Sequence, residues 1–321
     1  MFLIFVPVLL ILYAIKILSK QSKKSLENKH VVITGGSSGI GKCFATLCAK
    51  QGADVTIIAR TQGKLDEALE EIEEARMRET QKIRAVSLDV TKSEDVKKHL
   101  SELDEASPIY MLANCAGMAV CGKIEDTTPE NVRKMIDINF YGTYFPIKYV
   151  ITKMKKRKEG IVVITGSQAS LMGIFGYSAY SASKFALRGL AEALHMEVKP
   201  YDISVTLALP PDTDTPGFER ENESKPEETR LISESGGIFK PETVASKIMS
   251  DALAGNFFSH VGLESFLLTT LCTGMTPFTS TFEVVLQSLL LGPFKLICSF
   301  YLRSFHRIVE RCATKDHEKS E

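Results

Sequence analysis

A doubly wound α/β domain built on a parallel sheet is the fold class this sequence predicts, and three observations predict it. Short β-branched runs alternate with helical stretches from residue 30 to about residue 209, the pattern of strand, crossover helix and parallel strand. The first run, HVVIT at 30–34, passes directly into Gly35-Gly-Ser-Ser-Gly-Ile-Gly41 and then a helical stretch. That order of strand, glycine loop and helix is the setting of a dinucleotide phosphate site. With 44% hydrophobic content, 321 residues bury a full core, for which one α/β unit of about 250 residues is ordinary.

Composition removes some function classes. Lysine plus arginine equals aspartate plus glutamate at 39 each, so no global charge points to nucleic acid. The seven cysteines are scattered, without a Cys-x-x-Cys pair or a zinc-type grouping with histidine. No metal is expected, and the thiols read as reduced and cytosol-facing.

In chain order, residues 1–15 form a charge-free apolar run followed by Lys16, Lys20, Lys23 and Lys24. Fifteen helical residues span roughly 22 Å, short of a ~30 Å hydrocarbon core unless Lys16 snorkels and residues 17–18 are counted in. An uncleaved anchor at 1–18 with a basic linker at 19–29 is the preferred reading, because the basic flank follows the apolar run. A signal peptide is the alternative. Lysines on the C-terminal side of the run keep the rest of the chain in the cytosol. The sequon Asn222-Glu-Ser224 is a topology reporter, since it is glycosylated only in the lumen.

A nucleotide-binding α/β domain is expected over 30–254. Its loop reads Gly-x-x-x-Gly-x-Gly rather than Gly-x-Gly-x-x-Gly, and its glycines let backbone amides approach phosphates closely. A second strand at 53–59 ends in Arg60, where an acidic residue would bind ribose hydroxyls and an arginine suits a 2′-phosphate. NADPH is therefore the expected cofactor. Lys64, at the start of a helix over 64–79, either adds charge there or is a solvated first-turn lysine. The third strand, 83–88, delivers Asp89, which either accepts from an adenine amino group or caps a helix. The fourth strand, 110–113, runs into Asn114-Cys-Ala-Gly117. A helical pattern over 129–158 holds Asn139, unfavourable there by propensity and so suited to a specific hydrogen-bond task. A fifth strand at 161–165 delivers Ser167, placed to hydrogen-bond a carbonyl.

Tyr180-Ser-Ala-Ser-Lys184 comes next, with tyrosine and lysine one helical turn apart on one face. Bringing a phenol from a pKa of about 10 toward neutrality takes about 4 kcal/mol of preferential stabilisation of its anion, part of which a neighbouring ammonium supplies. After a sixth strand at 203–209, a polar stretch over 210–240 reads as a loop that closes over substrate. The apolar stretch 265–302 reads as membrane-associated, as two short spans, a re-entrant hairpin or a surface patch; a subunit interface, and so a homo-oligomer, is the competing reading. A charged tail occupies 303–321.

The ordered set of Thr34-Gly-Gly-Ser-Ser-Gly-Ile-Gly41, Asn114-Cys-Ala-Gly117, Asn139, Ser167 and Tyr180-x-x-x-Lys184 resembles the short-chain dehydrogenase/reductase superfamily, over roughly residues 30–253. The resemblance implies a Rossmann-type domain. It implies Tyr180 as proton donor, Lys184 as its pKa-lowering partner and ribose ligand, Ser167 as the carbonyl-orienting donor and Asn139 as holder of a water linking Lys184 to solvent. Gly35, Ser37, Ser38 and Gly39 would bind the cofactor phosphates, Arg60 and Lys64 the 2′-phosphate, and Asp89 the adenine. Gly166 departs from the Ser-Ser pair common there. Within the family, Pro210-Pro-Asp-Thr-Asp-Thr-Pro-Gly-Phe and Ser178-Ala-Tyr-Ser-Ala-Ser-Lys-Phe-Ala are similar to members that reduce a long-chain sphingoid ketone with NADPH at the endoplasmic-reticulum membrane, the catalytic domain facing the cytosol. A steroid or retinoid substrate, or a non-catalytic membrane scaffold retaining the fold, are the rival readings.

Overall fold

Strands alternate with helices as far as residue 260 in the computed structural model, which describes residues 24–320, at 235 and 315–320 by backbone alone. The strands are β1 (His30–Thr34), β2 (Asp54–Ala59), β3 (Ile83–Ser87), β4 (Ile109–Asn114), β5 (Gly160–Thr165), β6 (Ile203–Leu209) and β7 (Phe258–His260). They form one parallel sheet in the order β3-β2-β1-β4-β5-β6-β7. The chain reverses direction across the sheet between β1 and β4, the switch point at which open α/β sheets bind ligands.

Buried on both faces, the strands carry two cores. Val31 and Ile33 pack under helices α1 (Gly39–Lys50) and α2 (Gln62–Glu74), while Val32 between them packs on the opposite side with α3 (Ser93–Ala106). This alternation comes from the two-residue period of a strand. Helices α4 (Pro129–Ile136) and α5 (Gly142–Arg157) are joined by a π-helical turn at Asp137–Tyr141. Beyond β5 come α6 (Ser178–Val198), α7 (Pro216–Glu223), α8 (Glu227–Ser233), α9 (Pro241–Leu253), α10 (Gly262–Leu271) and α11 (Thr281–Ser320).

The structure departs from the sequence-based expectation in several places. The sheet continues past the last expected strand to β7, a strand of three residues. The 210–240 stretch is folded into α7 and α8 and pinned by a bridge between Thr213 and Phe239. The last part of the expected basic linker, from residue 24, is docked on the domain: Leu26 is buried and the Lys24 amide donates to the Leu253 carbonyl at 3.0 Å. The anchor expected at 1–18 lies outside the described residues.

Towards the C-terminus, the apolar segments on either side of Lys295 and the charged tail as far as Ser320 belong to the single helix α11, which holds Pro293 without ending. Residues Thr281–Thr314 of it are long and apolar enough to cross a membrane.

Candidate active site

The glycine loop is built for close approach. Gly35 and Gly39 have positive φ, at 68° and 53°, which glycine adopts without strain. A Cβ on Gly35 would lie 2.7 Å from the Ala116 amide, and one on Gly39 2.9 Å from Thr215 Cγ2. Ser38 caps α1 in position only, since its hydroxyl makes no capping bond. Gly35, Ser37, Ser38 and Gly39, at the α1 N-terminus, line one cavity together with Arg60, Lys64 and Asp89. The residues fit a nicotinamide dinucleotide.

Asp89 does not cap α3. Its Oδ1 accepts from the Thr91 amide at 3.0 Å and the Thr91 hydroxyl at 2.8 Å. Partial burial works to raise its carboxyl, but the two Thr91 bonds and the Arg60 charge win and hold it below its usual range. Asp89 is therefore an ionised acceptor at the end of β3.

β5 delivers Ser167, whose hydroxyl accepts from the Ala169 amide at 3.2 Å while the Ser167 amide donates to Ser170 Oγ at 3.2 Å. This reciprocal cap explains Gly166: a Cβ there would sit 2.7 Å from Ser170 Oγ. The Ser167 hydroxyl lies near enough to the Tyr180 phenol to favour its ionised form. Lys184, buried one turn further along α6, donates to the Thr165 carbonyl at 2.9 Å, and its ammonium lies 5.7 Å from the Tyr180 ring centre.

The electrostatics differ from the expectation of a depressed phenol. Burial and the Glu221 charge push Tyr180 well above an ordinary phenol, against the lowering effect of the Ser167 hydroxyl. Burial also brings Lys184 down to about 8 from 10.5. A low-dielectric pocket disfavours both charged forms, and here that outweighs the attraction between them. Tyr180 is held as an acid.

Asn139 is fully buried in the π-helical turn. Its amide donates to the Met118 carbonyl and to Ser183 Oγ, both at 2.9 Å, and its Oδ1 accepts from the Met118 amide at 2.8 Å. With the side chain so committed, Asn139 clamps the loop after β4 to α6 and thereby sets the floor of the site. A Cβ on Gly117 would meet both Asn139 Oδ1 at 3.2 Å and the Lys184 ammonium at 3.6 Å.

The sequence-based expectation missed a second layer around Tyr180. Tyr177, the residue immediately before α6, packs its ring 5.4 Å from that of Tyr180 and donates its hydroxyl to Glu221 Oε1. Lys225, buried, reaches Glu221 Oε1 at 3.1 Å and Asp212 Oδ2 at 3.8 Å. Asp212, Glu221 and Lys225 lie within fourteen residues of one another but 35 or more beyond Tyr177, and only the spacing of two tyrosines at three residues hinted that Tyr177 sits beside Tyr180.

The cavity, about 840 Å³, continues past Tyr180 to α10 and α11, where Leu267, Leu271, Leu302 and Phe305 line it. On α11, Lys295, Cys298, Leu302 and Phe305, at helical spacing, face the cavity, while Leu296 and Phe300 are each 68% exposed on the outer side.

A family model described as short chain dehydrogenase matches residues 29–226. A protein of Bos taurus named 3-ketodihydrosphingosine reductase is 49% identical over 311 residues, covering 96% of this chain and 93% of its own. The 3-dehydrosphinganine reductase of Danio rerio is 47% identical over the same shares, and one of Arabidopsis thaliana is 39% identical, covering 90% of this chain and 88% of that relative. Among solved structures, levodione reductase aligns with a TM-score of 0.67 at 22% identity, covering 74% of this chain and 96% of that one. A short-chain dehydrogenase of Sphingobium yanoikuyae in complex with NADPH aligns at 0.64 with 24% identity, covering 72% and 87%. These two likenesses concern the fold.

Proposed function

The chain belongs to the short-chain dehydrogenase family, and on that premise we propose that it reduces the C3 ketone of 3-ketodihydrosphingosine to the alcohol of dihydrosphingosine. Gly35, Ser37, Ser38 and Gly39 would hold NADPH, which when bound would supply the hydride for that reduction. Arg60 and Lys64 support the choice of the 2′-phosphorylated nucleotide, as cations on the wall that takes the adenosine half. Ser167 orients the ketone oxygen through its hydroxyl, and Tyr180, held protonated, gives its phenol proton to that oxygen. Lys184, fixed on the Thr165 carbonyl, places a cation beside the phenolate left behind.

The observation that carries the substrate reading is one cavity joining the Tyr180–Ser167 pair to the apolar wall of α10 and α11. Each buried methylene contributes about 0.8 kcal/mol, so such a wall favours a long alkyl chain. The outer side of α11, with Leu296 and Phe300 exposed, supports contact with membrane lipid, from which such a ketone would enter. The endoplasmic-reticulum membrane, with the catalytic domain in the cytosol, fits the lysines that flank the N-terminal apolar run on its C-terminal side. A panel of 3-ketosphinganine, a steroid ketone and a retinal, each with NADPH in detergent, tests the reading. Preference for the steroid or the retinal would overturn it.

A further inference from the structure

We propose that Glu221, with Asp212 beside it, binds the ammonium group that a sphingoid ketone carries on the carbon next to its carbonyl, making the site selective for amino ketones. The proposal rests on the substrate reading above and gives it a polar determinant.

Position is the first argument. Glu221 and Asp212 line the same cavity as Tyr180 and Ser167. Glu221 is close enough for its charge to act on both Tyr180 and Lys184. Since the amine is attached to the atom adjacent to the ketone, a ketone seated on Tyr180 and Ser167 puts its nitrogen within this neighbourhood. Lys184 repels an ammonium, so the acid side is the side that receives it.

Charge is the second. The two carboxylates share one direct ion-pair partner, Lys225. Lys225 is fixed, its side chain 2% exposed and its ammonium 4.5 Å from the Phe218 ring centre and 5.8 Å from that of Tyr177. It holds Glu221 in place. Two partly buried carboxylates that share a single ion-pair partner are costly, and a ligand cation offsets that cost.

Orientation is the third. The Tyr177 hydroxyl and the Lys225 ammonium both meet Glu221 at Oε1, which leaves Oε2 to take a donor from the cavity. Steroid and retinoid carbonyl compounds carry no such cation and gain nothing from it.

The test compares kcat/KM for 3-ketosphinganine and for 1-hydroxyoctadecan-3-one, which lacks only the amine, in the wild-type protein, Glu221→Gln and Glu221→Asp. A charge-assisted hydrogen bond predicts a wild-type preference for the amine of about tenfold to a hundredfold. In Glu221→Gln the ratio should fall to near one, and in Glu221→Asp part of it should remain. Any general effect of the substitution on Tyr180 or on folding cancels in the ratio. Equal use of both ketones by wild-type protein overturns the amine site and leaves the reductase reading standing; so does a ratio unmoved in Glu221→Gln. If neither ketone is reduced, the substrate reading fails and takes the amine site with it. The wild-type comparison decides even where no variant folds.

Discussion

Lys184 lies one helical turn beyond Tyr180, its ammonium 2.9 Å from the Thr165 carbonyl and 5.7 Å from the Tyr180 ring centre. In the proposed reduction that cation would stabilise the charge left on the phenol, while burial keeps the resting phenol protonated. A donor in a reductase has to start in that state.

Replacing Tyr180 by Phe removes the donated proton and leaves the cavity shape intact. Turnover should fall by about 10³-fold or more, with NADPH affinity, read by fluorescence titration, within a fewfold of wild type. Retained turnover would remove Tyr180 from the mechanism.

Lys184 should impose a pH limit on reduction. Its ammonium is lost as pH rises through about 8, so kcat/KM for the ketone should decline above that pH with an apparent pKa near it. Stability moves the other way. The folded state binds this proton less tightly than the unfolded chain does, so folding bears the penalty of the buried charge below pH 8. The penalty is relieved between about 8 and 10.5. Relative to Lys184→Met, wild-type protein should gain stability, on the order of 3 kcal/mol, across that window in denaturant titrations.

Arg60 should carry nucleotide choice. Arg60→Ala is expected to weaken NADPH binding by roughly tenfold to a hundredfold and NADH binding hardly at all, since only the former has a 2′-phosphate to lose. Lys64→Ala should act in the same direction and more weakly. Equal loss for both nucleotides would make Arg60 a structural residue.

The α11 wall should read chain length. Leu302→Asp, on the cavity face, should raise KM for an 18-carbon ketone and have little effect on an 8-carbon one, whereas Leu296→Asp, on the outer face, should alter membrane partitioning first. A chain-length-independent loss in Leu302→Asp would point to misfolding.

Away from the site, Asp104 accepts a bidentate pair from Arg157, at 2.9 Å to each oxygen, and the Ile109 amide at 2.9 Å. Asp104→Asn leaves a largely buried guanidinium without its charge partner, and a loss of about 3 kcal/mol in chemical denaturation is expected.

The alternation of strand and helix, and the motifs from Gly35 to Lys184, were legible because each is local: a glycine that must adopt positive φ, or a tyrosine and lysine one turn apart, is written in consecutive residues. β7 was not legible, since Phe258–His260 is three residues long and its strand character comes from pairing with β6. The single helix α11 was hidden by Lys295 and Pro293, which look like breaks in an apolar stretch. Lys295 faces the cavity, and the helix continues through Pro293. Tyr177, Asp212, Glu221 and Lys225 meet only because the 210–240 stretch folds back over α6, so their contact depends on tertiary structure. The direction of the Tyr180 shift depended on how deeply the site is buried, which no spacing records.

The central measurement is NADPH consumption, followed at 340 nm, by full-length protein in detergent with 3-ketosphinganine, with the lipid product identified by mass and Tyr180→Phe as the control. Wild-type protein should oxidise one NADPH per dihydrosphingosine formed, and the variant should form none at a measurable rate. NADPH binding without product in the wild type, or equal product from Tyr180→Phe, would contradict the assignment of this site as a ketone reductase.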